Sequence, residues 1–253
     1  MSPSLLAPDE APPFTVVNPG AASPLLLVGD HAGEAIPRRL GDLGLSTAAR
    51  RAHIALDIGV GGLGARLAER LEATFIAQRY SRLVVDCNRD PARADSIVEV
   101  SDGVAVPGNK GIGQTARAQR IAEVFAPYHD RIVAELDARR GQPTLFVSLH
   151  SFTPSLEGVS RPWRFGVLHQ PGSAFSQAVL ERLRPAIGAD LVGDNQPCEL
   201  GEIDYTVPRH AFARGLDYLE LEVRQDTIED AVGQDAVAGL LAPLLADAAR
   251  SLA

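Results

Sequence analysis

Short apolar runs about one strand long alternate along this chain with amphipathic stretches of helix length, and that alternation limits the folds open to it. Leu25-Leu26-Leu27-Val28 is uniformly apolar and stops at Gly29-Asp30. Residues 74–77, 83–86, 145–149, 164–168, 190–192 and 218–223 read as further strands. The last is apolar at alternate positions, with Leu219, Leu221 and Val223 set against Tyr218 and Glu220. Helices are expected over 46–56, 60–72, 115–139, 173–187, 206–214 and 229–252. Ser46 can cap the first. Leu63, Leu67 and Leu71 give the second an apolar stripe. Pro127 should kink or split the third, because proline has no N–H for the ladder. Residues 92–113, rich in Gly and Pro, read as a long irregular loop, and 151–162 and 193–204 as shorter ones. The pattern predicts an α/β fold: a three-layer sandwich with a mixed, largely parallel central sheet and helices on both faces.

With 253 residues, 45% of them hydrophobic, the chain can bury one sizeable core. No linker, repeat or low-complexity tract divides it, so residues 1–253 are expected to form a single domain, with 1–13 an extended tail. That tail is Pro-rich, carries Asp9 and Glu10, and lacks the basic start and apolar core of a signal peptide. A net charge of -8 without a basic stripe argues against nucleic-acid binding. No apolar run approaches the roughly 20 residues of a membrane span. Cys87 and Cys198 are expected to be free thiols, and the chain cytoplasmic. Composition says nothing about oligomeric state.

In open α/β sheets ligands bind beyond the carboxyl ends of the strands. Four expected strand ends carry chemistry: His31, Asn88-Arg89, His150 and Glu222. Gly29-Asp30-His31-Ala32-Gly33-Glu34 contains His-x-x-Glu, whose imidazole and carboxylate can take one face of a zinc ion. A catalytic zinc needs a third ligand and an open position, and His150 is the best third candidate. Arg89 offers a planar fork of donors matched to a carboxylate, and Asn88 adds an amide beside it. Glu222 shares a strand face with Glu220 and Arg224 and can move a proton between water and a leaving amine. Arg82 can stabilise an oxyanion. His53 and Asp57, four apart on an expected helix, form a weaker metal pair. Tyr205 and His210 can belong to a mobile lid over substrate. His129 and His169 read as structural.

These residues resemble the N-formylglutamate amidohydrolase family. The matching pieces are Val28-Gly-Asp-His31-Ala-Gly-Glu34-Ala-Ile-Pro37, Asp57-Ile-Gly59, Tyr80-Ser-Arg82-Leu-Val-Val-Asp86-Cys-Asn88-Arg89-Asp-Pro91, Leu149-His150-Ser-Phe152-Thr-Pro154 and Glu220-Leu-Glu222-Val-Arg224-Gln-Asp226. The resemblance implies a fold and site logic like those of zinc carboxypeptidases, in the phosphorylase/hydrolase-like class. It implies one zinc ion per chain on His31, Glu34 and His150, a carboxylate clamp of Asn88 and Arg89, and Glu222 as catalytic base, with Arg82 beside it. The implied activity is hydrolysis of N-formyl-L-glutamate to formate and L-glutamate, in histidine breakdown. Where the family leads one to expect Asn-Glu-Pro-Tyr, this chain has Asn195-Gln196-Pro197-Cys198. The alternatives are a deacylase or carboxypeptidase acting on another carboxylate-bearing amide, and a non-catalytic binder of carboxylated metabolites.

Overall fold

The computed structural model describes residues 4–201 and 203–252. Seven strands form one sheet: β1 (Phe14–Val17), β2 (Leu25–Gly29), β3 (Thr74–Gln78), β4 (Leu145–Phe152), β5 (Phe165–Leu168), β6 (Val192–Asp194) and β7 (Tyr218–Arg224). Their spatial order is β1-β3-β2-β4-β7-β5-β6. The pairs β3–β2, β2–β4, β4–β7 and β5–β6 are parallel, whereas β1–β3 and β7–β5 are antiparallel. The expected mixed, largely parallel sheet is therefore what forms.

Two apolar layers flank it. On one face Leu25, Leu27, Leu149, Leu219 and Leu221 meet the helices Val60–Arg70, Ala174–Ile187 and Ala231–Arg250. On the other, Leu26, Val28, Ile76 and Phe146 meet helical residues such as Tyr128 and Ile132, and also Leu83, Val84 and Val85. Strand alternation assigns Leu25 and Leu27 to one layer and Leu26 and Val28 to the other, which is why the run is apolar throughout. At Gly64 the first helix lies so close to β3 that an added Cβ would stand 2.3 Å from the Phe75 ring. Phe75 is itself wholly packed, so Gly64→Val should cost about 1–3 kcal/mol, read as a lower urea midpoint at unchanged m-value.

Several local expectations fail for identifiable reasons. Residues 83–86 are not a strand: 83 and 84 lie in a turn, and 85 and 86 are irregular. Their burial is real, but their carbonyls pair with side chains instead of a neighbouring strand: Asn109 Nδ2 donates to Leu83 O at 2.9 Å and Arg120 Nη1 to Val84 O at 3.0 Å. Periodicity cannot tell such a run from a buried strand. The helix over 46–56 stops early, as Thr47–Arg50, so His53 and Asp57 do not share a helix face. Pro127 does not split its helix: Gln114–Arg120 continues through a wide π turn, Ile121–Phe125, into Ala126–Ala138. The π turn absorbs the register change that the proline's missing N–H imposes. The 92–113 loop contains a small hairpin, Val100–Ser101 with Val104–Ala105, and 151–162 contains another, Ser155–Leu156 with Val159–Ser160.

The N-terminal tail is strapped down. Leu5 and Leu6 N–H groups donate to the Glu123 carboxylate at 2.8 and 2.9 Å, and Leu5 is buried. Its first three residues, part of the expected tail, lie outside the described residues. No helix among the described residues is long and apolar enough to cross a membrane.

Candidate active site

The carboxyl ends of β2 and β4 bring two imidazoles together. His31 follows β2 directly, and His150 lies within β4. Their rings pack edge to face with centroids 5.2 Å apart. Asp57 completes the group: its Oδ2 is 2.9 Å from His150 Nδ1 and 3.4 Å from His31 Nδ1. All three side chains are buried, and their donor atoms lie close enough together to hold a metal ion. Asp57 is placed by backbone: its N–H donates to the His31 carbonyl at 2.9 Å, just ahead of the Val60–Arg70 helix.

Glu34 is not in this group, which corrects the His-x-x-Glu expectation. That spacing brings two side chains to one side only on a helical turn. Here residues 32–34 form no helical turn, Ala35 bridges Tyr80 in parallel, and Gly33 lies against the Arg79 carbonyl, where a Cβ would come within 2.0 Å. Glu34 is carried away to a surface groove that Arg51 also lines. The signal for Asp57 was present in the Asp57-Ile-Gly59 motif, but its approach to His31 depends on a long-range backbone bond.

Each imidazole has a second carboxylate on its far side. His31 Nε2 is 2.8 Å from Asp86 Oδ1, and His150 Nε2 is 3.5 Å from Asp30 Oδ2 and 3.1 Å from Ser148 Oγ. Asp30 Oδ1 accepts from the Tyr128 and Thr206 hydroxyls at 2.9 and 2.8 Å. Arg82 ties the acids together: Nε and Nη2 donate to Asp86 Oδ2 at 3.0 and 2.7 Å, and Nη1 donates to Asp57 Oδ1 at 3.3 Å.

Glu220 and Glu222 face this cluster from β7, on the side shared with Ser148 and His150, their direct neighbours in register. Burial pushes the Glu222 carboxyl up to about 7 against the pull of His150, and Glu220 up to about 8 for the same reason. Burial also works against the ionised forms of Asp57 and Asp86, but His31 and His150 hold Asp57 below the usual carboxylate range, and Arg82 and His31 do so for Asp86. His150 is raised well above the ordinary imidazole value: Asp30 and Asp57 outweigh the burial that would lower it. Four buried atoms in the cluster have no hydrogen-bond partner: His31 Nδ1, Asp30 Oδ2, Glu220 Oε2 and Glu222 Oε2. Buried polar atoms without partners, gathered in one acidic pocket, fit a bound cation.

Outside the cluster lies a cavity of about 430 Å³, lined among others by Arg82, Asp86, Arg89, His53 and Asp102. Arg82 and Arg89 thus reach the same space. Asn88 does not serve as the other half of a clamp. Its Oδ1 accepts from the Tyr205 and Thr206 N–H groups, both at 2.9 Å, and its Nδ2 donates to Asp204 at 3.1 Å. It caps the short helix Thr206–His210 instead. Arg89 is partly engaged as well, donating to the Asn88 carbonyl at 2.9 Å and lying 3.6 Å from Asp204. His53 Nε2 bonds Asp102 Oδ2 at 3.1 Å and takes no part in the metal group. Tyr205 packs its ring on Phe125 and His129, and neither it nor His210 lines the cavity.

His210 is wholly buried and stacks on His129 instead of facing the cavity. His129 Nε2 faces the Cys87 carbonyl at 3.0 Å, an atom that can only accept, so its proton sits on Nε2. Its Nδ1 then accepts from His210 Nε2–H at 2.9 Å, and His210 Nδ1 is left without a partner. Burial lowers His129 to about 4, and burial together with His129 lowers His210 to about 3. Both rings are neutral in the folded protein. Below pH ~6.5 the unfolded chain binds protons that the native pair refuses, so this pair's contribution falls with pH from there towards about 4. Glu220 and Glu222 act in the opposite sense over part of this window, so the quantity to measure is a difference. The parent should lose on the order of 2–4 kcal/mol relative to His129→Gln/His210→Gln between pH 6.5 and 5, as read from urea midpoints.

With the geometry in place, comparison with known proteins is decisive. The N-formylglutamate amidohydrolase family model matches residues 23–229. The chain belongs to the N-formylglutamate amidohydrolase family. It is a hydrolase acting on amide bonds. Among solved structures it is similar to gene product Atu2144 from Agrobacterium tumefaciens, with 33% identity and a TM-score of 0.93 over 98% of this chain and 99% of that one. It also shares the fold of an N-formylglutamate amidohydrolase from Ralstonia eutropha JMP134, with 20% identity and a TM-score of 0.75 over 95% and 98% of the two chains. Among curated proteins, none matches the sequence.

Proposed function

We propose that this amidohydrolase is zinc-dependent and cleaves the amide of an N-acyl acidic amino acid, N-formyl-L-glutamate to formate and L-glutamate. The observation that carries the reading is the convergence of His31 Nδ1, His150 Nδ1 and Asp57 Oδ2, two imidazoles and one carboxylate buried beside a cavity. Two nitrogens and one carboxylate oxygen are a donor set used by hydrolytic zinc sites, and His31 Nδ1 has no other partner. Zinc supplies Lewis-acid polarisation of the scissile carbonyl and activation of water.

The chain's own residues do the rest. Glu222 takes a proton from the attacking water and delivers it to the amide nitrogen as the C–N bond breaks. A carboxyl poised near 7 suits both directions of transfer. Arg82, fixed by Asp57 and Asp86, presents positive charge where negative charge develops on the carbonyl oxygen. Arg89 meets a substrate carboxylate in the cavity. The reading places the enzyme in the cytoplasm, in histidine breakdown.

A second reading, a deacylase for a different N-acyl amino acid, is favoured by the acids Asp95, Asp102 and Glu157, which line the same cavity as Arg89. Metal analysis of the purified protein with kcat/KM over N-formyl, N-acetyl and N-succinyl derivatives of glutamate, glutamine and lysine tests both. About one zinc per chain, with N-formyl-L-glutamate the preferred substrate, is the expected result. A metal-free protein whose hydrolysis is indifferent to chelators overturns the metal reading, and preference for a neutral or basic amino acid overturns the substrate.

A further inference from the structure

Asp30 and Asp86 belong to neither the metal group nor the proton transfer, yet both are buried ionised carboxylates turned towards the two imidazoles. We infer that they are positioning residues that decide which nitrogen each imidazole presents: they hold the protons of His31 and His150 on Nε2, so that both Nδ1 lone pairs converge beside Asp57. This rests on the metal reading above.

The geometry is parallel at the two rings. Each Nδ1 faces the same Asp57 oxygen, at 3.4 Å from His31 and 2.9 Å from His150, while each Nε2 faces a different acid, Asp86 Oδ1 at 2.8 Å and Asp30 Oδ2 at 3.5 Å. A carboxylate only accepts, so the nitrogen facing it keeps its hydrogen. A cation displaces the hydrogen on the Asp57 side and leaves the one on the far side in place.

Both acids are locked in that orientation. Asp86 Oδ2 takes two Arg82 bonds and its Oδ1 also accepts the Asn88 N–H at 2.9 Å. Asp30 is wholly buried and its Oδ1 takes the Tyr128 and Thr206 hydroxyls, which leaves Oδ2, without a hydrogen-bond partner of its own, 3.5 Å from a His150 Nε2 that Ser148 Oγ also approaches at 3.1 Å. Thr206 is in turn fixed through its N–H on Asn88 Oδ1. The Asn88 side chain, singled out as a clamp by its motif, therefore contributes through Thr206 and Asp30, three links behind the imidazole.

Asp30→Asn separates orientation from bulk. The amide oxygen keeps the two hydroxyl donors, so the amide NH2 must point at His150 Nε2. That nitrogen then has to accept, and the ring's hydrogen moves to Nδ1, where it blocks the metal. Asp86→Asn does the same at His31: the amide oxygen stays on the two charged Arg82 donors, which turns the NH2 towards His31 Nε2 at the cost of the single Asn88 N–H bond. The expected result is zinc affinity lowered about 10–100-fold in each variant, measured by competition with a chromophoric chelator. ¹⁵N spectra of histidine-labelled, zinc-loaded protein should show Nε2–H on both rings in the parent and lose that pattern at the affected ring. Merely loosened packing would weaken binding without moving the hydrogen, which overturns the assignment. So does zinc affinity within threefold of the parent in either variant, provided that its near-ultraviolet circular dichroism is native. A parent that binds no zinc overturns the metal reading itself. A parent that binds zinc, with variants that bind it equally, overturns this inference alone.

Discussion

Glu222→Gln is expected to lower kcat on an N-acyl amino acid by about 10²–10⁴-fold while leaving zinc content and KM near those of the parent. The substitution keeps the side chain's size on β7 and its position opposite His150 in register, and it removes the group that moves the proton. Burial already weakens the ionised form of this carboxyl, so exchange for a neutral amide should not destabilise the fold. Steady-state kinetics beside metal analysis check the split. A variant that keeps near-parental turnover would remove Glu222 from the chemistry, and a variant that loses zinc would give it a different role.

The second large effect separates the two metal groupings. Asp57→Ala should reduce zinc affinity at least about a hundredfold and abolish measurable hydrolysis, because it removes a buried oxygen donor and leaves Arg82 and two imidazoles facing one another. Glu34→Ala should bind zinc as the parent does and keep its turnover, since Glu34 is exposed, lines a separate surface groove and is not among the His31, Asp57 and His150 group. The opposite outcome, with Glu34→Ala losing the metal and Asp57→Ala retaining it, would restore the ligand set that the His-x-x-Glu spacing alone implies. Elemental analysis of the two purified variants is sufficient.

Much of the architecture was legible in the chain because the signals involved are local. A five-residue apolar run must be buried on both faces, so Leu25–Gly29 announces an interior parallel strand. The alternation in Tyr218–Arg224 puts Glu220 and Glu222 on one side before any partner strand is known. The edge strand Phe14–Val17 was harder to see: it is short, only partly buried, and exists because β3 offers it an open edge. The apolar run at 83–85 misled for the complementary reason. Burial is readable from composition, but whether a buried carbonyl meets a strand or the side chains of Asn109 and Arg120 is decided by segments 24 or more residues away.

The sequence by itself determined the kind of chemistry: imidazoles and carboxylates at the carboxyl ends of strands, two arginines nearby, and motifs that resemble an amidohydrolase family. His31, His150 and Glu222 stand out as candidates by strand-end position, and Arg82 by residue type. Only the tertiary structure decided which acid stands with the histidines. Non-helical backbone after His31 leaves Glu34 exposed at a surface groove, and one hydrogen bond from Asp57 N–H to the His31 carbonyl brings in an acid 26 positions on. It likewise decided that Asn88 caps a helix and that His210 is buried against His129. The physical reason is the same in each case. A motif fixes which groups are available, but a side chain's direction follows from its backbone, and in loops that backbone is set by whichever distant segment satisfies its N–H and C=O groups.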